Sequence, residues 1–367
     1  MRVRRIETFH REPVTLVRIT DDTGTNGWGM TAPFNADVSA TLLHRLIAPH
    51  VLRRDAGDHE SIIEQAYDRN YKFTGTFLCR ALAGVDTALW DLRGQHAGKS
   101  VCAMLGGSPG VLAVYGSSMR RDNSVADEID RLNRARDAAG YRAFKIKIGA
   151  RHGRHDAAEL EHAEQRTAAI IPAVAEHFPD AHRYADANGS YDVQRAIEIG
   201  QQLQAGGFVH YEEPCPHWDI ESTARVRARL SIPIAGGEQD FCLHQWKRMI
   251  DVGAIGIAQP DVGYVGGLTR ALQVAEMAHD RGLSCVPHSA NRSMIMLFAM
   301  HLMRAIPHAA PFVECAIEPS PWASDAFDPA IFVRDGQVQV SDAPGWGVTI
   351  RSDWLERAER EVSEVSA

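Results

Sequence analysis

Tyr184-Ala-Asp186, Val209-His-Tyr-Glu212, Ile234-Ala-Gly-Gly-Glu238, Ile257-Ala-Gln-Pro-Asp261, Cys285-Val-Pro-His288 and Phe312-Val-Glu314 are six short apolar runs, each closed by a side chain capable of chemistry. The closing residues lie 26, 26, 23, 27 and 26 positions apart. That near-constant interval matches one strand, one helix and their connections, so the six side chains recur on one rim of a parallel β/α structure. In barrels of this kind the rim at the C-terminal ends of the strands carries the chemistry. Sequence separation thereby becomes spatial proximity.

Outward from these runs the same rhythm continues. Strands are expected at about 112–117, 143–148, 182–186, 208–213, 232–236, 255–259, 283–287 and 311–314, and eight parallel strands over roughly 200 residues suffice for a (β/α)8 TIM-type barrel. Helices fill the gaps. Ser124 caps one, with Asp127 at its third helical position, and Gly140 ends it before Phe144-Lys-Ile-Lys-Ile148. Upstream, Val3–Phe9 and Val14–Thr20 alternate like strands and Gly27-Trp-Gly29 closes a third run, whereas Ser39 to Gly94 shows helical spacing. Downstream, residues 331–340 read as a hairpin about Asp335-Gly336. The expected organisation is an N-terminal α+β capping domain (1–110), the barrel (111–318), and a C-terminal segment (319–367) that returns to the cap.

Composition narrows the function. The 367 residues are 45% hydrophobic and 23% charged, as in a globular protein, and carry a formal charge of −8 with no basic patch for nucleic acid. The longest apolar stretch, Met294 to Met303, is far below the roughly 20 residues of a membrane span. Six scattered cysteines form no CxxC pair, and phosphate-loop, dinucleotide, HExxH and GxSxG motifs are absent. A cytoplasmic enzyme of small molecules is expected.

Three carboxylates at successive strand ends, Asp186, Glu212 and Glu238, repel one another unless a cation intervenes. All the donors are hard oxygens, which favours Mg2+, with Mn2+ as the alternative, over zinc. Lys145 and Lys147 flank Ile146 and point to one side of their strand, where a usable general base would result. Asp261 and His288 end neighbouring strands, a placement that suits an acid holding an imidazole by one nitrogen. Two acid/base groups from opposite sides of the barrel, with a metal at a carboxylate, fit proton abstraction next to that carboxylate through an enediolate. Ser117, Ser118, Arg120 and Asn291 lie near strand ends and are candidate substrate contacts.

These residues, as Lys145-Ile-Lys147, Asp186-Ala-Asn188, Glu212-Glu-Pro214, Gly237-Glu238, Asp261 with Gly266-Gly267, and His288, resemble the signature of the enolase superfamily in its mandelate racemase subgroup. The resemblance covers nearly the whole chain, including Asp86-Thr-Ala-Leu-Trp-Asp91 and Pro344-Gly-Trp-Gly347. It implies one Mg2+ per subunit on Asp186, Glu212 and Glu238, Lys147 as one acid/base and the His288–Asp261 dyad as the other. It further implies Lys145 lowering the Lys147 pKa and touching the substrate carboxylate, Glu314 bonding the enediolate, Asn188 contacting substrate, and a homo-oligomer. The loop His10-Arg-Glu-Pro13 is shorter than the substrate-covering loop usual in the subgroup, which leaves Tyr71-Lys-Phe-Thr-Gly75 or a neighbouring subunit to supply a lid. The leading expectation is a dehydratase of aldonic or aldaric acids giving a 2-keto-3-deoxy acid. The alternatives are a 2-hydroxy-acid racemase or epimerase and, last, a non-catalytic metal-binding protein. Cycloisomerases and dipeptide epimerases are disfavoured by Asp261, where those groups usually carry lysine.

Overall fold

The computed structural model describes residues 1–151, 153 and 156–365. Its centre is a ring of eight parallel strands: β4 (Gly110–Ser117), β5 (Ala143–Lys147), β6 (His182–Asp186), β7 (His210–Glu212), β8 (Ile234–Gly236), β9 (Ile257–Ala258), β10 (Ser284–Cys285) and β11 (Val313–Ala316). Consecutive strands pair from β4 to β10, and β11 pairs with β4. Cys285 completes the ring, its amide donating to the carbonyl of His308 at 3.2 Å and its carbonyl accepting from Ala310 at 2.9 Å. The sequence condenses into this (β/α)8 barrel because the strand residues are buried nearly throughout, while the helices between them carry one apolar stripe.

The cap is an antiparallel sheet in which β1 (Val3–Arg11) lies between β2 (Val14–Asp21) and β15 (Glu359–Glu364), with β3 (Asn26–Met30) outside β2. The chain's end thus closes the sheet made by its beginning. Glu7, fully buried on β1, receives Arg18 from β2 at 2.7 Å and Arg360 from β15, which fixes that return electrostatically. Helix α1 (Thr76–Ala97) packs beneath the sheet, and Gly27 and Gly29 allow the close approach: a Cβ on either would stand within 2.4 Å of the helix backbone.

Cap and barrel are joined through buried polar contacts. Asp86 on α1 accepts from the Thr269 amide at 3.2 Å, and Asp91 accepts from the amides of Trp28 at 2.7 Å and Trp346 at 2.9 Å. Trp346 then packs its ring on Phe298, in the barrel helix Met294–Met303, whose residues are all buried. A helix apolar on every side belongs in a core, and this one does.

The hairpin expected at 331–340 forms only at its tip. Arg334 and Gln337 exchange hydrogen bonds around Asp335-Gly336, but β13 (Gln337–Val340) pairs with Gly110–Ala113 of β4 instead of with 331–333. The N-terminal half of β4 extends beyond its pairing with β5 and β11, and its open edge takes up β13, burying Val338 and Val340. A two-residue ladder, β12 (Phe327–Asp328) with β14 (Thr349–Ile350), flanks this arm.

Candidate active site

Strand register places the carboxylates. Asp186 and Glu212 are direct partners across β6 and β7, at the last residue of each strand. Glu238 follows β8 after Gly237, whose φ of +103° and contact with Trp246, 2.1 Å from where a Cβ would stand, admit no other residue without displacement. The turn made there aims Glu238 inward.

Lys145 and Lys147 alternate to the same side of β5 and neutralise two of the acids. Lys145 donates to both oxygens of Glu212, at 2.7 and 2.8 Å, lies 2.7 Å from Glu314, and is 3.9 Å from Asp186. Lys147 bonds Asp186 and donates to Asn188 Oδ1 at 3.1 Å. His210 and Gln259, which the sequence reading did not single out, also hold Glu212, at 3.1 and 2.8 Å. His210 shares the face of β7 with Glu212, a signal that alternation alone could have supplied, whereas Gln259 lies one residue past β9.

Across the barrel, His288 Nδ1 stands 2.7 Å from Asp261 Oδ2, and Nε2 stands 3.3 Å from Glu238. The other oxygen of Asp261 accepts from the amides of Gly263 and Tyr264, so one side chain caps a helical turn and holds the imidazole. Ser289 donates its amide to the second oxygen of Glu314 at 2.9 Å.

Burial and charge set the ionisation. Burial alone would raise Glu212, but Lys145 and then His210 hold its carboxyl well below the usual range. Glu314 is likewise held to about 2 against its burial, by Lys145 and His288. Glu238 is pushed up to about 7 by burial, with Glu212 and Asp186 adding to it and His288 and Lys147 opposing. Burial would lower His288, yet Glu238, Asp261 and Glu314 raise it to about 10, so the ring is a cation at neutral pH.

A cavity of about 390 Å3 opens over this rim, walled by Lys147, Asn188, Glu238, His288, Tyr264 and Arg121, with Glu213 and Arg151 among its other neighbours. Asp186, Glu212, Lys145 and Glu314 form a buried floor beneath it and do not line it. Lys145 is fully enclosed by its acids, so the contact with a substrate carboxylate implied for it is not present as the side chains stand. Asn188 lines the cavity but commits its Oδ1 to Lys147 and Arg121 and its Nδ2 to Glu213, which makes it an orienter of Lys147.

The structure does not bring Ser117 and Asn291 to the cavity. Ser117 is buried with its hydroxyl toward Met119, and Asn291 turns its Oδ1 back to the Ser293 amide ahead of the following helix. Ser118 faces Arg131, and Arg120 borders only an adjoining recess; its neighbour Arg121 occupies the wall instead. Tyr71 and Phe73 stand exposed in a short turn, and none of residues 71–75 lines the cavity.

Among the described residues, no three His, Cys, Asp or Glu side chains are gathered around one centre fit for a metal ion. The reason is local, since Lys145 and Lys147 occupy Glu212 and Asp186 while Glu238 turns to His288. The residues nevertheless suit a hard divalent cation. Glu238 Oε2 is buried and accepts no hydrogen bond, its carboxyl is pushed up by burial and then by its acidic neighbours, and every donor is oxygen.

Comparison with known proteins agrees with this fold. Residues 127–354 match the model of the enolase C-terminal domain-like family, and residues 3–106 match the N-terminal domain of mandelate racemase / muconate lactonizing enzyme. The chain belongs to the enolase superfamily, in its mandelate racemase subgroup. Among curated relatives of this superfamily, arabinonate dehydratase of Saccharolobus solfataricus is 28% identical over 95% of this chain and 91% of its own. D-galactarolactone cycloisomerase of Agrobacterium fabrum is 30% identical over the same shares. A Roseobacter denitrificans structure, provisionally described as a racemase, shares 45% identity over the whole of both chains with a TM-score of 0.95. A mandelate racemase/muconate lactonizing protein of Paracoccus denitrificans, complexed with magnesium, is 29% identical over 98% of this chain and 97% of its own, with a TM-score of 0.89. Sugar-acid dehydratases and cycloisomerases are thus both relatives, and the argument from Asp261 against cycloisomerases does not set that class aside.

Proposed function

We propose that the chain is a Mg2+-dependent dehydratase of a sugar acid, removing the proton α to a carboxylate and expelling the β-hydroxyl as water. One observation carries this reading: Lys147 and His288, from the second and seventh barrel strands, face the same cavity with Glu238 beside them. A divalent cation on Asp186, Glu212 and Glu238 would polarise the substrate carboxylate and offset the charge of the enediolate. Lys147, oriented by Asn188, takes the α-proton. His288 is a cation held by Asp261 and gives a proton to the departing β-oxygen. The C–H electron pair passes into the C1–C2 double bond of the enediolate and then into C2–C3 as the C3–O bond breaks and the oxygen leaves as water, and tautomerisation of the enol yields the 2-keto-3-deoxy acid. Six unpaired thiols suit a reducing cytoplasm.

Two further readings use the same residues. A β-oxygen that stays tethered to the substrate would make the reaction a cycloisomerisation, which the 30% identity to the cycloisomerase favours. Return of a proton to the opposite face would make it an epimerisation, which the Roseobacter relative favours. Incubation with Mg2+ and a panel of aldonic and aldaric acids and their lactones, with semicarbazide detection and mass spectrometry, separates them. A 2-keto-3-deoxy product one water lighter than its substrate establishes dehydration; a keto acid of unchanged mass, as from a cycloisomerisation, or an isomer with no keto acid, as from an epimerisation, overturns it.

A further inference from the structure

The wall of the cavity opposite Glu238 and His288 is cationic, and the proposed reaction does not use it. Arg121 follows β4 and Arg151 follows β5, so both stand above the strand ends on one side of the opening. Arg121 directs its donors to uncharged oxygens, the carbonyls of Ile148 at 2.6 Å and Gly149 at 3.2 Å and the amide of Asn188. Arg151 is exposed, and among the described residues no carboxylate makes an ion pair with either guanidinium. The adjoining recess shares Met119, Arg121 and Arg151 and adds Arg120, with Asp122 and Glu159 also on its wall. In a chain with net charge −8, two guanidiniums that pair with no carboxylate among the described residues, beside a site full of carboxylates, are a local feature that needs a reason.

We infer that Arg121 and Arg151 receive a second anionic group on the substrate, a carboxylate or a phosphate, at the end remote from the reacting carboxylate. This rests on the function proposed above and narrows it: the substrate is a dianionic sugar acid. A fork of guanidinium donors pairs with a planar carboxylate or a phosphate and discriminates against a terminal hydroxyl. The reacting end is already served by His288 and by the cation proposed on Asp186, Glu212 and Glu238, so the arginines serve the other end.

The test uses the full chain with Mg2+ and matched probes: D-gluconate against D-glucarate, D-galactonate against galactarate, and 6-phospho-D-gluconate for the phosphate case. Binding is read by calorimetry and proton abstraction by NMR in D2O. Arg151→Gln is the variant, since Arg151 makes no hydrogen bond among the described residues and the fold is checked by circular dichroism. The expected result is roughly tenfold tighter binding of at least one dianionic acid than of its monoanionic counterpart. Arg151→Gln should remove most of that difference while changing monoanion binding less than about twofold. Gain by the diacids or by the phosphorylated acid tells the two sources apart. Equal binding of both series, or equal loss for both in the variant, overturns the inference. Arg151-dependent binding with no α-proton exchange from any acid leaves the anion site standing and overturns the proposed reaction instead.

Discussion

Asp261 holds His288 from behind: its Oδ2 lies 2.7 Å from Nδ1, while its Oδ1 is fixed by the amides of Gly263 and Tyr264. The imidazole therefore meets the cavity with Nε2 alone, beside Glu238. Asp261→Asn keeps an oxygen for the two amides but turns an NH2 toward the ring. Activity should fall about 10²-fold or more with little change in KM, as for loss of a positioned acid/base group. NMR titration of His288, whose midpoint is raised to about 10 in the wild type, should show a clear downward movement. Unchanged kcat and titration would show that the contact orients nothing.

The proposed metal site would link metal binding and pH through Glu238. Burial pushes Glu238 and Asp240 up to about 7 and Asp91 up to about 6. A carboxyl raised on folding contributes stability that is full below its unfolded value near 4 and is lost as pH rises through the folded value. Metal-free protein should thus lose thermal stability between about pH 4 and 7. Mg2+ requires ionised carboxylates, so the rise in Tm that it causes should grow over the same interval. Scanning calorimetry with Mg2+ and with EDTA checks both signs.

Gly237 is required by space as well as by its φ of +103°. Gly237→Ala would press a methyl into the Trp246 ring and displace Glu238. Mg2+ affinity should drop by about tenfold or more while the far-UV spectrum stays near wild type, as calorimetric titration would show. Wild-type affinity in this variant would remove Glu238 from the metal set.

Asp91 is the fastening between cap and tail. Asp91→Ala would leave the buried amide of Trp346 without an acceptor, at a cost of about 1–3 kcal/mol, and the part-buried amide of Trp28 likewise at a smaller one. Urea unfolding followed by tryptophan fluorescence should show a lowered midpoint, and a loss below about 0.5 kcal/mol would mean that the tail is held elsewhere.

Much of this arrangement is legible before any coordinates. Apolar runs at a near-constant interval mark six of the eight strands, strand alternation puts Lys145 and Lys147 on one side, and the order of the strands puts Asp261 beside His288. Side-chain direction just past a strand is not legible, because it depends on turns that a pattern of residue types does not encode. Arg121 reaches the cavity where Arg120 was expected, and Glu213, at φ +40°, reaches it while Glu212 stays beneath. Ser117 and Asn291 satisfy local partners, a use that any polar residue near a strand end can have. The arm at 337–340 chose between two strand partners, and only the free edge of β4 decided it.

In the proposed reaction Lys147 takes the hydrogen α to a carboxylate and His288 protonates the departing β-oxygen. The most direct test follows that hydrogen by NMR in D2O, with Mg2+ and the acid that the wild type turns over, in wild type, Lys147→Ala and His288→Asn. Loss of the α-hydrogen is expected in the wild type, slowed by about 10²-fold or more in Lys147→Ala. In His288→Asn product is lost, whether or not exchange persists. Full activity in both variants would mean that neither residue serves the reaction.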